Sequence, residues 1–400
     1  MDDHIGGASP GSLPRIPGQD TIPALLAWYA RERPGAVAVS CWHDTLTWEE
    51  LAARAFAIAW RLRQAGVAPG DRIAYLCRDR LGIDEVATLY GIVAAAALVA
   101  VPADLPLPVQ RRLVERTAPA ALVAQPGTDP TPLPAVPLLS LLDLPAAPGP
   151  PSPLPGPRDL AAIISTSGSS AESKLVLRTH QNIVRSSRIT SQELGLGPDD
   201  RMLMLGSPSA GMFVSTFDPL WSGGGLVLPT GPGRDRWPPD GGALTPTWAF
   251  GAPARLAAIA DAMPDGPSPF RIVLSSGASA PPGLAERIAR GLRAPRVDLY
   301  AASEVYSMAF DGRPTVPLRI APAGGRLPES GETGEIQVSG DLVFPGYHGD
   351  PALTAAAFTA DGWYRTGDLG RLREDGTLEL LGRLNQLINQ GGTKIAPEEI

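Results

Sequence analysis

Alternating helix and strand signals predict an α/β fold with parallel sheet, divided into subdomains within one large domain. Three observations carry that expectation. The alternation runs from Thr21 to Ala124 and resumes from Leu160 to Leu299. The chain's 400 residues exceed what one core usually holds. From Glu335 onward the pattern changes, and Asp375-Gly376 marks a hairpin between Leu369–Leu372 and Leu378–Leu381.

Thr21 caps a helix over Ile22–Arg31, with Leu25, Leu26 and Tyr29 on one face. A strand pair follows at Ala36–Ser40 and Thr45–Thr47. Thr47-Trp48-Glu49-Glu50 is a capping box opening a helix that Gly66 ends. Pro69 to Arg72 is a turn, Ile73–Leu76 a strand, Asp84–Ala96 a helix and Leu98–Val101 a strand. A helix around Val109–Arg116 and a strand at Ala121–Ala124 continue the rhythm. Pro126 to Arg158 is crowded with proline and reads as an extended surface connection without chemistry of its own. Beyond it, Asn182–Glu193 and Leu284–Leu292 read as helices; Met202–Leu205, Leu226–Leu228 and Ile272–Ser275 read as strands.

Composition narrows the function. Hydrophobic residues make up 44% and charged residues 19%, as in a well-buried globular protein. A net charge of −7 with no basic run argues against a nucleic-acid partner. Cys41 and Cys77 lack metal-ligand spacing and read as buried thiols in a reducing compartment. Residues 1–20 are polar, rich in Gly and Pro, and expected to be flexible, without a signal-peptide core. The most apolar stretch, Leu89 to Val101, is shorter than the roughly 20 residues that span a bilayer. The expectation is a cytoplasmic protein with no membrane partner.

The most informative stretch runs from Ile163 to His180. An apolar strand breaks into Ser165-Thr166-Ser167-Gly168-Ser169-Ser170, meets Lys174, and resumes as a second strand at Leu175–Leu177. Small hydroxyl residues let backbone N–H groups converge and add donors of their own, as a polyphosphate requires. A flexible Ser/Gly linker has the same composition, but linkers are seldom pinned between two strands. The spacing does not fit GxxxxGK[ST], which excludes a P-loop NTPase.

This run resembles the phosphate loop of the adenylate-forming superfamily: acyl- and aryl-CoA ligases, luciferases and peptide-synthetase adenylation domains. Thr166, Ser167, Gly168, Ser169, Lys174 and Thr179-His180 match; Ala171 and Ser173 stand where glycine and proline are usual. Trp363-Tyr364-Arg365-Thr366-Gly367-Asp368-Leu369 reproduces the family's Tyr-Arg-Thr-Gly-Asp-Leu unchanged, and Gly382-Arg383 follows one hairpin later. Gly346 to Pro351 and Thr354 to Phe358 also fit the pattern.

The resemblance implies roles for particular residues. Lys174 and the loop, including Ser170, hold polyphosphate. Tyr300 stacks on adenine, Gly277 and Ala278 lie along its other face, and Ser303 reaches the α-phosphate. Glu304 binds Mg²⁺, a role suited to a carboxylate at a strand end. Asp368 binds the ribose hydroxyls, and Arg383 contacts ribose and phosphate. His180, Ala210, Gly211, Ser276 and Ala301 shape the acyl pocket. Asn385 sits at the hinge of a small C-terminal domain.

The implied organisation is a large domain over 21–383, made of two α/β subdomains and a small distorted β-barrel. The connection at 126–158 lies within it, and 384–400 form the hinge and the start of the small domain, the rest of which is expected to be absent. The implied activity converts a small carboxylic acid and ATP to acyl-AMP and pyrophosphate. The acyl group then passes to CoA or to the phosphopantetheine of a carrier protein. Peptide-synthetase domains place an aspartate near Ala210-Gly211 to pair with an α-ammonium, and here the first acid downstream is Asp218. An unpaired buried ammonium is costly, so an aryl or short acyl acid is expected. The Lys174 to Asn182 run is most similar to dihydroxybenzoate-AMP ligases, although their His-Asn pair is missing near Ser207 to Phe213. Two alternatives stay open: a catalytically degenerate binding or scaffold module of this fold, and an unrelated kinase using the same loop.

Overall fold

The computed structural model describes residues 20–41, 43–78, 81–141, 144, 149–166, 173–205, 212–229, 244–322 and 331–384, with backbone also at 388–390 and 393–395. Three larger sheets organise these residues, and Ile388–Gln390 with Thr393–Ile395 form a separate two-stranded ribbon. A five-stranded sheet runs in the order Ala121–Ala124, Arg72–Cys77, Ala97–Pro102, Leu160–Ser165, Leu175–Thr179. Its first four strands are parallel and the last turns back antiparallel. A nine-stranded sheet has a parallel centre: Arg296–Tyr300, Ile272–Ser276, Trp248–Gly251, Arg201–Met204, Gly225–Leu228 and Val37–Cys41. Short antiparallel strands flank it, Ala309–Phe310 and Arg313–Pro314 on one side and Asp44–Thr47 on the other. The third sheet is antiparallel, in the order Leu318–Ala321, Gly334–Val338, Tyr364–Leu372, Leu378–Arg383.

Local chemistry explains the element ends. Thr21 accepts the amide N–H of Ala24 and caps helix Ile22–Glu32. The capping box forms in full, with the Thr47 hydroxyl on the Glu50 amide and the Glu50 carboxylate on the Thr47 amide. A second box, Thr179 with Asn182, opens helix His180–Glu193. The Asp375-Gly376 hairpin is present, with Gly376 at φ +81°, where a side chain would be strained. The Leu89 to Val101 stretch is a fully buried helix end running into a fully buried strand. Cys77 is likewise buried, whereas Cys41 is only half-buried. Among the described residues, no helix is long and apolar enough to cross a membrane.

The sequence pattern misses strand Trp248–Gly251, helix Pro253–Ala262 and strand Leu318–Ala321. The first is four fully buried residues. So short an apolar run carries no periodicity to separate strand from helix.

Helices Trp48–Gln64 and Ile83–Ala95 pack face to face in the core between the two α/β sheets. Gly91 sits at their closest approach. A Cβ there would lie 2.7 Å from the Ala55 carbonyl oxygen and 2.7 Å from the Ile58 Cβ. Gly91→Ala therefore overpacks a rigid contact, and equilibrium denaturation should show a loss of about 1–3 kcal/mol. Unchanged stability would mean that the helices are not packed this closely.

Candidate active site

The Leu160–Ser165 and Leu175–Thr179 strands form a hairpin in which Ser165 faces Leu175 and Leu160 faces Thr179. The Thr166 amide donates to the Lys174 carbonyl at 3.0 Å, closing the neck of the intervening loop. Ser167, Gly168, Ser169 and Ser170 lie outside the described residues. On the far side of the neck, Arg116 from helix Leu107–Thr117 donates to the Ser173 carbonyl at 2.6 Å. The exposed Lys174 side chain thus leaves from a backbone fixed on both flanks.

The Gly346–His348 segment, in the connection between strands Gly334–Val338 and Tyr364–Leu372, runs along the free edge of the Leu175–Thr179 strand. The Leu177 amide donates to the Gly346 carbonyl at 3.1 Å, and the His348 amide to the Leu175 carbonyl at 2.7 Å. Val176 and Tyr347 form an antiparallel bridge. This pairing brings the Tyr347 phenol between two groups from the other sheets. Lys174 Nζ donates to Tyr347 Oη at 3.4 Å, and Tyr347 Oη donates to Glu304 Oε1 at 2.9 Å. The ammonium also lies 5.2 Å from the Tyr347 ring centroid, in cation–π range. Burial, reinforced by the Glu304 charge, raises the Tyr347 phenol above its ordinary pKa and keeps it a donor.

A second constellation lies where the parallel strands Ile272–Ser276 and Arg296–Tyr300 end against the Tyr364–Leu372 and Leu378–Arg383 hairpin. It is a cleft of about 450 Å³, lined by Gly277, Ala278, Tyr300, Ala301, Asp368 and Arg383, among others. Asp368 is 4% exposed and holds both carboxylate oxygens toward partners. Tyr300 Oη donates to Oδ2 at 2.6 Å, and Arg383 Nε to Oδ1 at 2.9 Å. Desolvation raises the Asp368 pKa, while the Tyr300 hydrogen bond and the Arg383 charge oppose the rise. Thr366 sets the carboxylate's base: its hydroxyl accepts the Asp368 amide at 3.0 Å and donates to the Ile336 carbonyl at 2.8 Å. Gly277 turns the chain out of its strand at φ +89°, which favours glycine. A buried two-oxygen acceptor beside an aromatic ring suits a vicinal diol and a planar base.

Other expected residues fall elsewhere. His180 does not reach the cleft. It starts the helix at the opposite end of the hairpin from the loop, five residues from Leu175, or ~16 Å at ~3.3 Å per residue. Its ring is 0% exposed; Nδ1 accepts the Ile22 amide at 3.4 Å, and Nε2 has no hydrogen-bond partner among the described residues. It is a buried residue where the first helix meets the hairpin. The Ser276 hydroxyl donates to the Leu299 carbonyl at 3.0 Å, so it ties two strand ends together instead of opening toward a substrate. Ser303 is half-buried in the turn between Tyr300 and Glu304. Ala210, Gly211 and Asn385 lie outside the described residues.

Sequence reasoning misses Tyr347, although Gly346-Tyr347 is part of a matching stretch. Its partner Glu304 is 43 positions away, and only the sheet-to-sheet pairing makes them neighbours. Among the described residues, no cluster of three or more His, Cys, Asp or Glu could cage a metal ion. The donor set fits a magnesium ion that arrives with phosphates, since such an ion takes one or two protein carboxylates and fills its shell with phosphate oxygens and water. Glu304, whose carboxylate accepts the Tyr347 hydroxyl, is a carboxylate of that kind.

A sheet pair joined to a hairpin, with a buried carboxylate at a cleft and a cation–phenol–carboxylate group nearby, is an arrangement that suits a nucleotide-binding α/β protein. The family described as AMP-binding enzyme matches residues 26–348, and the chain belongs to that family. It is 32% identical over 402 residues to pyochelin synthetase PchE of Pseudomonas aeruginosa, covering 93% of this chain and 28% of PchE. It is 34% identical over 281 residues to the sulfoacetate–CoA ligase of Cupriavidus necator, covering 65% of this chain and 55% of the ligase. Feruloyl-CoA synthase of Amycolatopsis is 32% identical over 403 residues, covering 93% and 80%. The fold matches the AMP complex of o-succinylbenzoate coenzyme A synthetase from Bacillus subtilis with a TM-score of 0.83 and 23% identity, over 94% of this chain and 82% of that one. The AMPPNP-bound peptide synthetase FmoA3 matches with a TM-score of 0.81 and 27% identity, over 93% and 43%.

Burial gives His180 a testable signature. Its pKa is pushed down to about 3 by desolvation, against 6.5 in the unfolded chain. The neutral ring's contribution to stability is complete above pH 6.5 and is lost as pH falls toward 3. Denaturation at stepped pH should show His180 steepening the fall by up to about 1.4 kcal/mol per pH unit, a slope that His180→Gln removes. Identical slopes in both proteins would mean that the ring is solvated.

Proposed function

We propose that this protein activates a carboxylic acid with ATP. An acid oxygen attacks the α-phosphorus, the bond to the β-phosphate breaks, and acyl-AMP and pyrophosphate result. The acyl group then passes to a pantetheine thiol, of CoA or of a carrier protein, forming a thioester and releasing AMP. The single observation that carries this reading is the buried Asp368 carboxylate, with Tyr300 and Arg383 on its two oxygens beside the cleft. Family membership and the names of two relatives, a CoA ligase and a CoA synthase, support it.

In this reading the ribose hydroxyls take up the acceptor capacity of Asp368, and the adenine lies between Tyr300 and the Gly277-Ala278 turn. Lys174 and the hydroxyl loop neutralise the polyphosphate. Thr166 and Ser173 fix the neck from which the lysine extends. Glu304 would hold Mg²⁺, which when bound neutralises phosphate charge and polarises the phosphoryl group. Tyr347 keeps Lys174 and Glu304 at a set spacing, so that cation and carboxylate are in place before nucleotide arrives.

The acid is an apolar aryl or short acyl carboxylate. An α-amino acid would need a standing negative charge for its ammonium. The acid nearest in sequence to the expected position, Asp218, is 6% exposed, and desolvation pushes its pKa up to about 8. Burial disfavours its ionised form, so it offers no ready-made charge to an ammonium.

The test is acid-dependent exchange of pyrophosphate into ATP across aryl, alkyl and amino acids, on the protein at its natural length. Exchange with an aryl or short acyl acid is expected. Asp368→Asn should lower it by about 10²-fold or more, the scale of losing one preorganised charged contact. Silence with every acid, with ATP binding also absent in the folded protein, would favour the scaffold alternative, and ADP as product would favour a kinase.

A further inference from the structure

The strand that carries Lys174 also carries a buried arginine for which the proposed reaction has no role. Side chains alternate along a strand, so Lys174, Val176 and Arg178 project from one face. Val176 and Arg178 are both 0% exposed. Arg178 Nη1 donates to the Glu304 carbonyl at 3.2 Å and to the Leu342 carbonyl at 3.3 Å. The guanidinium carbon lies 5.1 Å from the centre of the Tyr306 ring. Nε and Nη2 have no hydrogen-bond partner, and the group forms no ion pair, among the described residues.

A buried guanidinium with no carboxylate in salt-bridge contact among the described residues is a costly way to fill space, even with the Glu304 charge nearby. An apolar side chain of similar length would fill the same volume without that cost, so packing does not account for the charge. Its two hydrogen bonds do. One nitrogen grips a carbonyl from the turn after the Arg296–Tyr300 strand and another from the turn beyond Gly334–Val338. The same Glu304 carbonyl also accepts the Phe344 amide at 2.9 Å. Glu304's backbone is therefore held from two sides, while its carboxylate meets Tyr347.

We infer that Arg178 is a positioning residue that fixes Glu304 for divalent metal, clamping its carbonyl so that its carboxylate faces the phosphate side of the site. The inference rests on the reading of Glu304 as the magnesium carboxylate of ATP activation. Arg178 touches neither metal nor nucleotide; it acts through the Glu304 backbone. Lysine keeps the charge but offers a compact ammonium in place of a planar fork, so it replaces the clamp in part. Glutamine removes the charge.

Calorimetric titration of ATP, with no acid present and at stepped Mg²⁺, tests this. Arg178→Gln should raise the Mg²⁺ concentration that half-saturates the affinity gain by about tenfold or more, with Arg178→Lys between it and the wild type. ATP binding without metal, which depends on Asp368 and Tyr300, should change less than twofold in both. A merely structural role would weaken both kinds of binding together, and that result overturns the inference. So does an unchanged Mg²⁺ dependence in Arg178→Gln, or failure of both variants to fold. If wild-type ATP binding is itself indifferent to Mg²⁺, the metal reading of Glu304 falls first.

Discussion

The backbone pairing of Gly346–His348 with the free edge of the Leu175–Thr179 strand is the contact on which the site depends. An edge strand presents unpaired N–H and C=O groups that must find partners. Here the connection between two strands of the third sheet supplies them: the Gly346 carbonyl accepts the Leu177 amide and the His348 amide donates to the Leu175 carbonyl. That pairing sets the register of three side chains at once. Tyr347 falls between Lys174 and Glu304, and the turn preceding it falls within reach of Arg178.

The three sheets share one hydrophobic cluster, and polar contacts pin them to one another further. Asn182, the capping partner of Thr179, also donates to the Asp341 carbonyl at 2.7 Å, binding helix His180–Glu193 to the same turn. Ser186 and Thr190, further along that helix, meet the Ser307 hydroxyl at 3.0 and 3.3 Å. Buried polar networks are favourable only when their members are satisfied, so this junction tolerates little displacement. Cation, phenol and carboxylate inherit that rigidity. The cleft beside Asp368 is built on the same plan: two parallel strand ends provide one wall and an antiparallel hairpin the other.

Much of this is legible in the sequence, for identifiable reasons. The capping boxes at Thr47 and the strand alternation through Ala124 are local patterns, and local patterns survive into the fold. The Tyr364 to Leu369 run is legible because a turn, a hydroxyl and a carboxylate must sit at fixed offsets for Asp368 to be held by Thr366. What sequence does not carry is which face of a residue meets which distant partner. His180 belongs to a matching Thr-His pair, yet the hairpin's length puts it at the far end, in the core. Ser276 lies next to cleft residues, yet its hydroxyl is engaged with Leu299. Tyr347 and Arg178 gain their roles only from contacts 43 and 126 positions away.

In the proposed function, Tyr347 couples Lys174 to Glu304 and so prepares the site for a metal-bound nucleotide. A double-mutant cycle on Mg·ATP affinity with Tyr347→Phe and Glu304→Gln measures that coupling most directly. The structure predicts non-additive losses, with an interaction energy of about 1 kcal/mol or more, as for groups in direct hydrogen-bonded contact. Losses that add to within about 0.3 kcal/mol would contradict it, because the phenol and the carboxylate would then act on nucleotide independently.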